Sequence, residues 1–377
     1  MNELEQQLKE LARKGGASLV GITTKERLSD GPPSADPTYL LPSAKSVISF
    51  AIALDPPTIR NYISKKDWLS HCEERKRVVQ TLYTIGDRLA EFLKGKGYEA
   101  VNVDINNNYR PQEGVTSVTE MTEFHPEFSH RYAAVGAGLG RLGWSGNLMT
   151  PQYGALVELG SVLTSAELEP DPVLEENPCD KCKMCALSCP VGMINPKESI
   201  TVTVAGVTDE ISKKRPSTCC WIGCTGYEGL APGGKWSNWS PYRLGEPLPA
   251  DKEELDALCI RLQKADPQMQ LEDNSFSDYR GAAFNPDWFY MTVCGFCRTV
   301  CWPDRADRLE NRNLIVNSGT VAMRPDGMHV VADDSAVEVE TPYIVKAIIQ
   351  KGSSPGEAEG RSPMDAAVIS HLREKQG

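Results

Sequence analysis

Two cysteine motifs carry the strongest chemical signal in this sequence. The first runs Cys179-Asp-Lys-Cys-Lys-Met-Cys-Ala-Leu-Ser-Cys-Pro190, with the spacing C-x2-C-x2-C-x3-C-P. In iron–sulfur proteins three thiolates of this run bind one [4Fe–4S] cluster and the fourth reaches a second cluster. The second motif runs Cys294-Gly-Phe-Cys-Arg-Thr-Val-Cys301 and lacks the first member of a full run. The pair of motifs therefore predicts two [4Fe–4S] clusters.

The missing ligand must come from elsewhere in the chain, and three neighbouring cysteines are available: Cys219, Cys220 and Cys224. We assign cluster one to Cys179, Cys182, Cys185 and Cys301. Cluster two takes Cys189, Cys294, Cys297 and one of the three upstream cysteines, with Cys220 as the first choice. Zinc is the alternative, since paired C-x2-C units can hold it in a tetrahedral site. A zinc site would leave several of these cysteines without a role, so iron–sulfur clusters are favoured.

The composition is that of a globular protein rich in metal ligands. The chain has 377 residues and twelve cysteines, and in a reducing compartment such cysteines serve as ligands more often than as disulfides. Cys72 and Cys259 lie on helical stretches and are predicted to be ordinary buried residues. No apolar stretch reaches the ~18 residues of a membrane helix, and the N-terminus lacks the residue order of a signal peptide. We therefore expect a cytoplasmic protein with no membrane contact.

Alternating helical and strand patterns over residues 1–166 predict an α/β layer domain. An amphipathic helix at the N-terminus is followed by predicted strands at 46–54 and 100–105 and a helix at 71–97. Residues 167–178 are rich in prolines and acids and are predicted to be a linker. The cysteine-bearing region extends to residue 312. Residues 313–377 form an extension, with strands expected at 314–345 and a turn at Pro325-Asp-Gly327.

Two clusters linked by shared motifs form a path for single electrons, and such a path needs an acceptor. A free-standing ferredoxin would not need a preceding domain of this size. We therefore expect the first domain to hold a redox cofactor. The alternative is an electron-transfer module without chemistry of its own, whose first domain holds a flavin or docks a partner.

A glycine-dense segment, Arg131-Tyr-Ala-Ala-Val-Gly-Ala-Gly-Leu-Gly-Arg-Leu-Gly-Trp-Ser-Gly-Asn147, is followed by Thr150-Pro-Gln-Tyr-Gly154 and then by both cysteine motifs. In this combination the chain resembles the corrinoid-dependent reductases that comprise epoxyqueuosine reductase and the reductive dehalogenases. The resemblance implies an α+β fold, with a nitroreductase-like domain before a ferredoxin-like domain. It also implies cobalamin as the acceptor and cleavage of a C–O or C–halogen bond in a small organic substrate. An external ferredoxin or flavodoxin would supply the electrons.

The resemblance also suggests which residues hold the corrinoid. Glycines would let the backbone approach it closely, although they would equally suit turns. Asn147 and Thr150 would contact its polar groups or cap the next element. The predicted cofactor-binding residues are Gly138, Leu139, Gly140, Gly143, Ser145, Asn147, Thr150 and Tyr153.

Glu123 is our first choice for the proton donor, because Glu123-Phe-His-Pro126 is the nearest match to an Asp-x-x-Pro element of epoxyqueuosine reductases. Tyr132 and His130 are its rivals. Arg131 would bind an anionic substrate group or pair with a nearby acid. Trp236 and Trp239 would cover the substrate or pack over the clusters.

The chain also departs from the family. It lacks the helical repeats after the clusters that suit tRNA, and its net charge is −11, which opposes nonspecific duplex binding. We therefore expect a substrate that is neither epoxyqueuosine nor a known halocarbon, and no nucleic-acid partner.

Overall fold

The computed structural model describes residues 3–104, 110, 126–265, 293–323 and 329–332. The helices in these ranges are α1 (Glu3–Lys14), α2 (Lys25–Leu28), α3 (Pro56–Ile63), α4 (Leu69–Gly95), α5 (His130–Gly136), α6 (Met184–Leu187), α7 (Ser217–Cys224), α8 (Lys252–Ala265), α9 (Phe296–Thr299) and α10 (Arg305–Val316). The strands are β1 (Leu19–Thr24), β2 (Ser46–Ala53), β3 (Ala100–Asn102), β4 (Arg141–Leu142), β5 (Leu148–Met149), β6 (Val157–Thr164), β7 (Ser199–Val204), β8 (Val207–Ser212), β9 (Thr320–Met323) and β10 (His329–Ala332).

A four-stranded sheet with the order β1-β2-β6-β3 organises the first part of the chain, and all of its neighbouring strands pair antiparallel. Seven of the eight residues of β2 are buried, because helices cover both faces of the sheet. Ile48 and Phe50 point to the face that α1 and α4 cover. Val47 and Ala51 alternate with them and point to the face that α5 covers, as the two-residue period of a strand requires.

The helices begin and end close to the predicted positions. In α1 the buried residues Leu8 and Ala12 lie one turn apart, and the chain leaves the helix through Gly16, whose φ is 107°. The predicted helix at 71–97 is α4. Cys72 on α4 and Cys259 on α8 are buried, as predicted. The mixed α and β architecture is thus confirmed.

The segment predicted to be a linker is tied to the first domain. Asp171 forms an ion pair of 2.5 Å with Lys9 of α1, and its second carboxylate oxygen accepts from the Ile22 amide of β1 at 2.7 Å. These contacts fix the direction in which the chain enters the first cysteine motif.

A hairpin of β7 and β8 lies inside the cysteine-bearing region, and the sequence analysis did not predict it. Its two turn residues, Ala205 and Gly206, have φ values of 57° and 76°. The Asp30 carboxylate accepts from both of their amides, at 2.7 and 2.8 Å. An acid of the first domain therefore fixes the tip of the hairpin.

The C-terminal strands are only partly as predicted. Leu314–Val316 belongs to α10 and not to a strand, whereas β9 and β10 pair antiparallel as expected. The predicted turn at 325–327 lies outside the described residues. Among the helices that the structure describes, none is long and apolar enough to cross a membrane. The cytoplasmic location stays a prediction.

Candidate functional site

Four thiols from the two cysteine motifs line one small cavity, which we call the cluster-one site: Cys179, Cys182, Cys185 and Cys301. The structure thus brings together the four cysteines that the sequence analysis assigns to cluster one. Lys181 and Lys183 have φ values of 55° and 63°, so the loop winds tightly and points successive thiols inward. Over the described ranges, no group of three or more His, Cys, Asp or Glu side chains is arranged to hold a metal ion.

Polar contacts fix the cluster-one loop from two sides. The Asp180 carboxylate accepts from the Cys182 amide at 3.1 Å and pairs with the buried Arg308 of α10 at 2.9 Å. On the other side the Trp144 amide donates to the Cys179 sulfur at 3.3 Å. Hydrogen bonds of this kind stabilise negative charge on a sulfur ligand.

Burial dominates the electrostatics of these thiols. It raises the pKa of Cys301 to about 12, and the neighbouring Cys179 thiolate adds to the rise. Burial and the neighbouring thiolates also raise the pKa of Cys185. Thiols in such a place lose their protons when a positive group compensates the charge, as binding of a metal centre does. An all-cysteine donor set in a desolvated pocket therefore fits a [4Fe–4S] cluster.

A second group of thiols surrounds the start of α9 and faces α7. Burial, with the nearby thiolates of Cys294 and Cys297, raises the pKa of Cys189 to about 12. The three thiols therefore lie close together. The Met193 amide donates to the Cys189 sulfur at 3.3 Å, and the Asn147 side-chain amide donates to the Cys297 sulfur at 3.8 Å. We call Cys189, Cys294, Cys297 and Cys220 the cluster-two site.

Helix α7 offers two candidates for the eighth ligand, not three. Cys220 and Cys224 lie one helical turn apart, and their sulfur atoms are 3.5 Å from each other. Cys219 is fully buried on another side of the helix, in an apolar cluster with Ile222 and Leu255. Its thiol therefore does not belong to the cluster-two site.

A cavity with a volume of ≈ 870 Å³ opens beside the cluster-two site, and we call it the central cavity. Cys220, Cys224 and Cys297 line one wall. Tyr132 of α5 lines the same cavity, as does Asn147. A cavity of this size can hold a large organic cofactor or substrate, in direct contact with thiols of the second group.

The central cavity is lined by cations. Arg131, Lys214 and Arg215 contribute to its walls, and burial together with Arg131 lowers the pKa of Lys214. The Arg131 guanidinium donates to the Gly146 carbonyl at 3.2 Å. Within the residues that the structure describes, neither Arg131 nor Lys214 has a carboxylate partner. Lys214 could not be predicted as a cavity residue, because a lone lysine between two motifs has no recognisable spacing.

One further group in the central cavity has no partner among the residues that the structure describes. The indole nitrogen of Trp221 is buried and makes no hydrogen bond with any of them, and its side chain lines the cavity. Buried polar groups are normally satisfied. An acceptor on a bound molecule would satisfy this one.

The predicted proton donors lie in different places. Tyr132 faces the central cavity, and burial raises the pKa of its phenol. His130 does not line the cavity. Its Nδ1 bonds the Ser161 hydroxyl at 2.9 Å and its Nε2 bonds the Asp104 carbonyl at 3.0 Å, while burial lowers its pKa to about 4. His130 is thus held as a neutral structural residue, which is a correction to its candidacy as an acid.

Glu123, the first choice for this role, lies outside the described residues. Pro126, which ends the same sequence element, lines the central cavity. The prediction for Glu123 therefore stays a prediction.

Gly138 and Gly140 of the glycine-dense segment make their close contacts with protein, whereas Ser145, Gly146 and Asn147 of the same segment line the central cavity. A Cβ on Gly138 would lie 2.1 Å from the Pro172 carbonyl oxygen, and one on Gly140 would lie 2.4 Å from that of Met149. Neither residue lines the central cavity, and their contact with a corrinoid stays a prediction. Gly143 faces Cys179 at the cluster-one site, and Ser145 lines both cavities.

The remaining predicted cofactor contacts support the local fold. Leu139 is buried in the apolar core. The Thr150 hydroxyl accepts from the Tyr153 amide and donates to the Gly154 carbonyl, both at 3.1 Å. Thr150 therefore caps a turn, which was the alternative considered for it. Tyr153 is half-buried against the core, away from the central cavity.

The tryptophans Trp236 and Trp239 are buried and pack on the cluster-two loop. The Trp239 indole donates to the Tyr62 carbonyl at 3.0 Å, and the Trp236 ring lies 6.1 Å from that of Phe296. Phe296 lies between Cys294 and Cys297 in the sequence. Of the two roles considered for this pair, the structure supports packing over the clusters.

Comparison with known proteins gives one consistent group of sequence relatives. The chain is 27% identical over 226 residues to the epoxyqueuosine reductase of Bacillus subtilis, covering 52% of each chain. It is 37% identical over 68 residues to that of Listeria monocytogenes, covering 18% of each. The chain thus spans about half the length of the Bacillus subtilis relative. No family model matches the chain.

Solved structures of two kinds are also similar. An epoxyqueuosine reductase with an epoxyqueuosine-modified tRNA-Tyr stem loop is 19% identical, with a TM-score of 0.41, over 84% of this chain and 82% of that one. A catabolic reductive dehalogenase in complex with 3-bromo-4-hydroxybenzoic acid is 19% identical, with a TM-score of 0.42, over 98% of this chain and 48% of that one.

The expectation that excludes nucleic acid is wrong. One of the similar proteins holds a tRNA stem loop, so a nucleic-acid partner is indicated among proteins of this kind. The physical error was to argue from the net charge. A chain with a net charge of −11 still places Arg131, Lys214 and Arg215 around one cavity, and the local potential decides what binds there.

Proposed function

We propose that this chain, which belongs to the epoxyqueuosine reductase and reductive dehalogenase-like proteins, is a cobalamin-dependent reductase with two [4Fe–4S] clusters. The first domain, residues 1–166, and the cysteine-bearing domain, residues 167–312, would together enclose the reaction site. When bound, the clusters supply single electrons and the corrinoid supplies the reducing metal for cleavage of a C–O or C–halogen bond. An external low-potential ferredoxin or flavodoxin would reduce the clusters.

One observation carries the proposal. Cys297 and Cys220, assigned to cluster two, line the same ≈ 870 Å³ cavity as Tyr132. Ser145 and Asn147 line both the cluster-one cavity and the central cavity, so the two sites are adjacent. An electron path from cluster one would therefore end at the central cavity.

The residues of the cavity suggest how the chain would act on a substrate. Tyr132 holds a proton at its phenol oxygen up to a pH above 10, since burial raises its pKa from 10.0. It can thus donate to a leaving oxygen or to a reduced carbon. Glu123 is the second candidate for this donor. Arg131 and Lys214 would bind an anionic group of the substrate or cofactor, and Asn147 would orient it.

The substrate is one with a reducible C–O or C–halogen bond and an anionic group nearby. Two test compounds follow from the relatives: an epoxyqueuosine-modified tRNA stem loop and 3-bromo-4-hydroxybenzoic acid. The anionic groups are phosphates in the RNA and a carboxylate in the benzoate. Turnover of either compound would assign the bond type.

The test is anaerobic purification and reconstitution with iron, sulfide and cobalamin. We expect about eight irons and eight sulfides per chain, and one bound corrinoid that a chemical reductant reduces. A stoichiometric flavin, or no organic cofactor, would instead support the electron-transfer module. Zinc in place of iron would overturn both functions.

A further inference from the structure

The second group of thiols holds one cysteine more than a cluster can use. A [4Fe–4S] cluster takes four thiolates, whereas Cys189, Cys294 and Cys297 are joined here by both Cys220 and Cys224. The sulfur atoms of Cys220 and Cys224 are 3.5 Å apart. One thiol must therefore remain outside the coordination shell while lying against a ligand.

The spacing on α7 explains why both thiols reach the site. Residues four apart on a helix lie on one face, one turn above the other, so Cys220 and Cys224 both line the central cavity. Cys219 points into the apolar cluster of Ile222 and Leu255. The fifth thiol is therefore present because two cysteines lie on the same face of α7.

The distance between the two sulfur atoms indicates what the surplus thiol can do. With Cys220 as the fourth ligand, its sulfur is a thiolate acceptor, and the Cys224 sulfur lies 3.5 Å from it. That distance is within the reach of a hydrogen bond between two sulfur atoms, and a cysteine that binds no metal has its S–H group available as the donor.

We propose that Cys224 remains a thiol, donates its S–H hydrogen bond to the cluster-two ligand Cys220, and thereby raises the reduction potential of cluster two. The proposal rests on the proposed function, since it assumes that cluster two is bound. Reduction adds one negative charge to the cluster, and a hydrogen bond to a ligand sulfur stabilises that charge. Cys224 is in this sense a positioning residue between the cluster and the central cavity.

The test uses the full-length reconstituted protein and the variants Cys224→Ala, Cys224→Ser and Cys220→Ala. Iron and sulfide analysis gives the ligand set. A potentiometric titration followed by electron paramagnetic resonance gives the midpoint of each cluster. Cys259→Ala is the matched control, because Cys259 is a buried cysteine of α8 that lines neither the cluster-one cavity nor the central cavity.

We expect Cys224→Ala to keep about eight irons per chain and to lower the midpoint of one cluster only. The expected change in the one-electron equilibrium constant is about three- to tenfold, which corresponds to about 30–59 mV. Cys224→Ser retains a donor and should lie between the wild type and Cys224→Ala. Cys220→Ala should lose up to four irons, and the control should match the wild type.

Two results would overturn the proposal. Loss of about four irons in Cys224→Ala would make Cys224 the ligand. Eight irons with both midpoints unchanged would leave Cys224 without influence on the cluster. A wild-type protein that binds no second cluster would be a different failure, because it refutes the proposed function before any variant is compared.

Discussion

Arg298, which lies between two cysteines of the second motif, forms a 2.5 Å ion pair with Glu158 of the central sheet. Arg75 of α4 binds the same carboxylate at 3.0 Å. Burial alone would raise the pKa of Glu158, but Arg298 and Arg75 together lower it to about 2. The Arg298–Glu158 ion pair therefore joins the second cysteine motif to strand β6, and the Glu158 carboxylate is ionised at neutral pH.

Glu158→Gln should destabilise the protein at pH 7, because it leaves two partly buried guanidinium groups without their carboxylate. Breaking a fully buried pair typically costs about 3–5 kcal/mol, and we expect the lower end of that range, because these side chains are 16–19% exposed. Thermal unfolding of the iron-free protein measures the effect. Glu10→Gln is the control, since Glu10 is in an exposed pair with Lys14 and should leave the midpoint unchanged. Equal midpoints for both variants would show that the Arg298 contact contributes no stability.

The depressed pKa of Glu158 also sets a pH window. The ionised form is favoured by folding, so its contribution is fully present above the ordinary value of 4.5 and is lost as the pH falls through about 2. Between these limits Glu158→Gln should unfold with a shallower pH dependence than the wild type. Parallel curves would contradict the assignment.

Lys65 should make the protein less stable at neutral than at alkaline pH. It is 6% exposed, and burial, with Arg243 next, lowers its pKa from 10.5 to about 7. The unfolded chain binds its proton more tightly, so stability rises as the pH goes from about 7 to 10.5. The full effect is on the order of 5 kcal/mol. Lys65→Met should stabilise the protein at pH 7 and flatten this rise in thermal-unfolding scans, whereas Lys66→Met should retain it.

Cys301→Ser should lower the iron content by up to one cluster, because Cys301 closes the cluster-one site from the second motif. Cys259→Ser should leave the iron content at the wild-type value. Iron and sulfide analysis after anaerobic reconstitution distinguishes the two. Full iron content in Cys301→Ser would show that this residue is not a required ligand.

Tyr132→Phe should lower turnover by about 10²–10⁴-fold, the usual range for loss of a general acid. The variant keeps the apolar ring that packs in the core, so iron and corrinoid content should match the wild type. Tyr39→Phe, at a 39% exposed tyrosine, is the control. If Tyr132→Phe is fully active and Glu123→Gln is not, the proton comes from Glu123.

Gly138→Ala should destabilise the fold, whereas Gly143→Ala should be tolerated. Gly138 has a φ of 74°, and a Cβ would lie 2.1 Å from the Pro172 carbonyl oxygen. The conformational part alone costs about 1–2 kcal/mol. At Gly143 the nearest contact would be an ordinary 3.6 Å. A stable Gly138→Ala protein that fails to bind cobalamin would reverse the interpretation and return Gly138 to the cofactor site.

The helices and strands whose apolar residues recur in a regular pattern could be predicted from the sequence. Leu4, Leu8 and Leu11 marked α1, and the unbroken apolar run from Ser46 marked a strand buried on both faces. The β7–β8 hairpin was missed, although Ile200, Val202 and Val204 alternate with polar residues. Its alternation is short and lies among cysteines whose spacing is set by metal ligation, which imposes no period.

The candidate site could likewise be predicted only in part. The grouping of Cys179, Cys182 and Cys185 followed from their spacing, because a tight loop leaves few arrangements, and Cys301 was assigned to them as the last cysteine of the second motif. Lys214 and Trp221 could not be predicted from spacing, because their only common feature is that both line the central cavity. His130 had the chemistry of a catalyst, and only its bonds to Ser161 and Asp104 show that it is structural.

The cluster-one site draws Cys185 and Cys301 from positions more than 100 residues apart in the chain. Whatever these thiols hold in common also closes a loop of that length, and loop closure removes entropy from the unfolded chain. Loss of the proposed cluster would then lower the free energy of unfolding as well as interrupt electron transfer. The segment between the two cysteines should be cleaved by proteases more readily once the metal centre is gone.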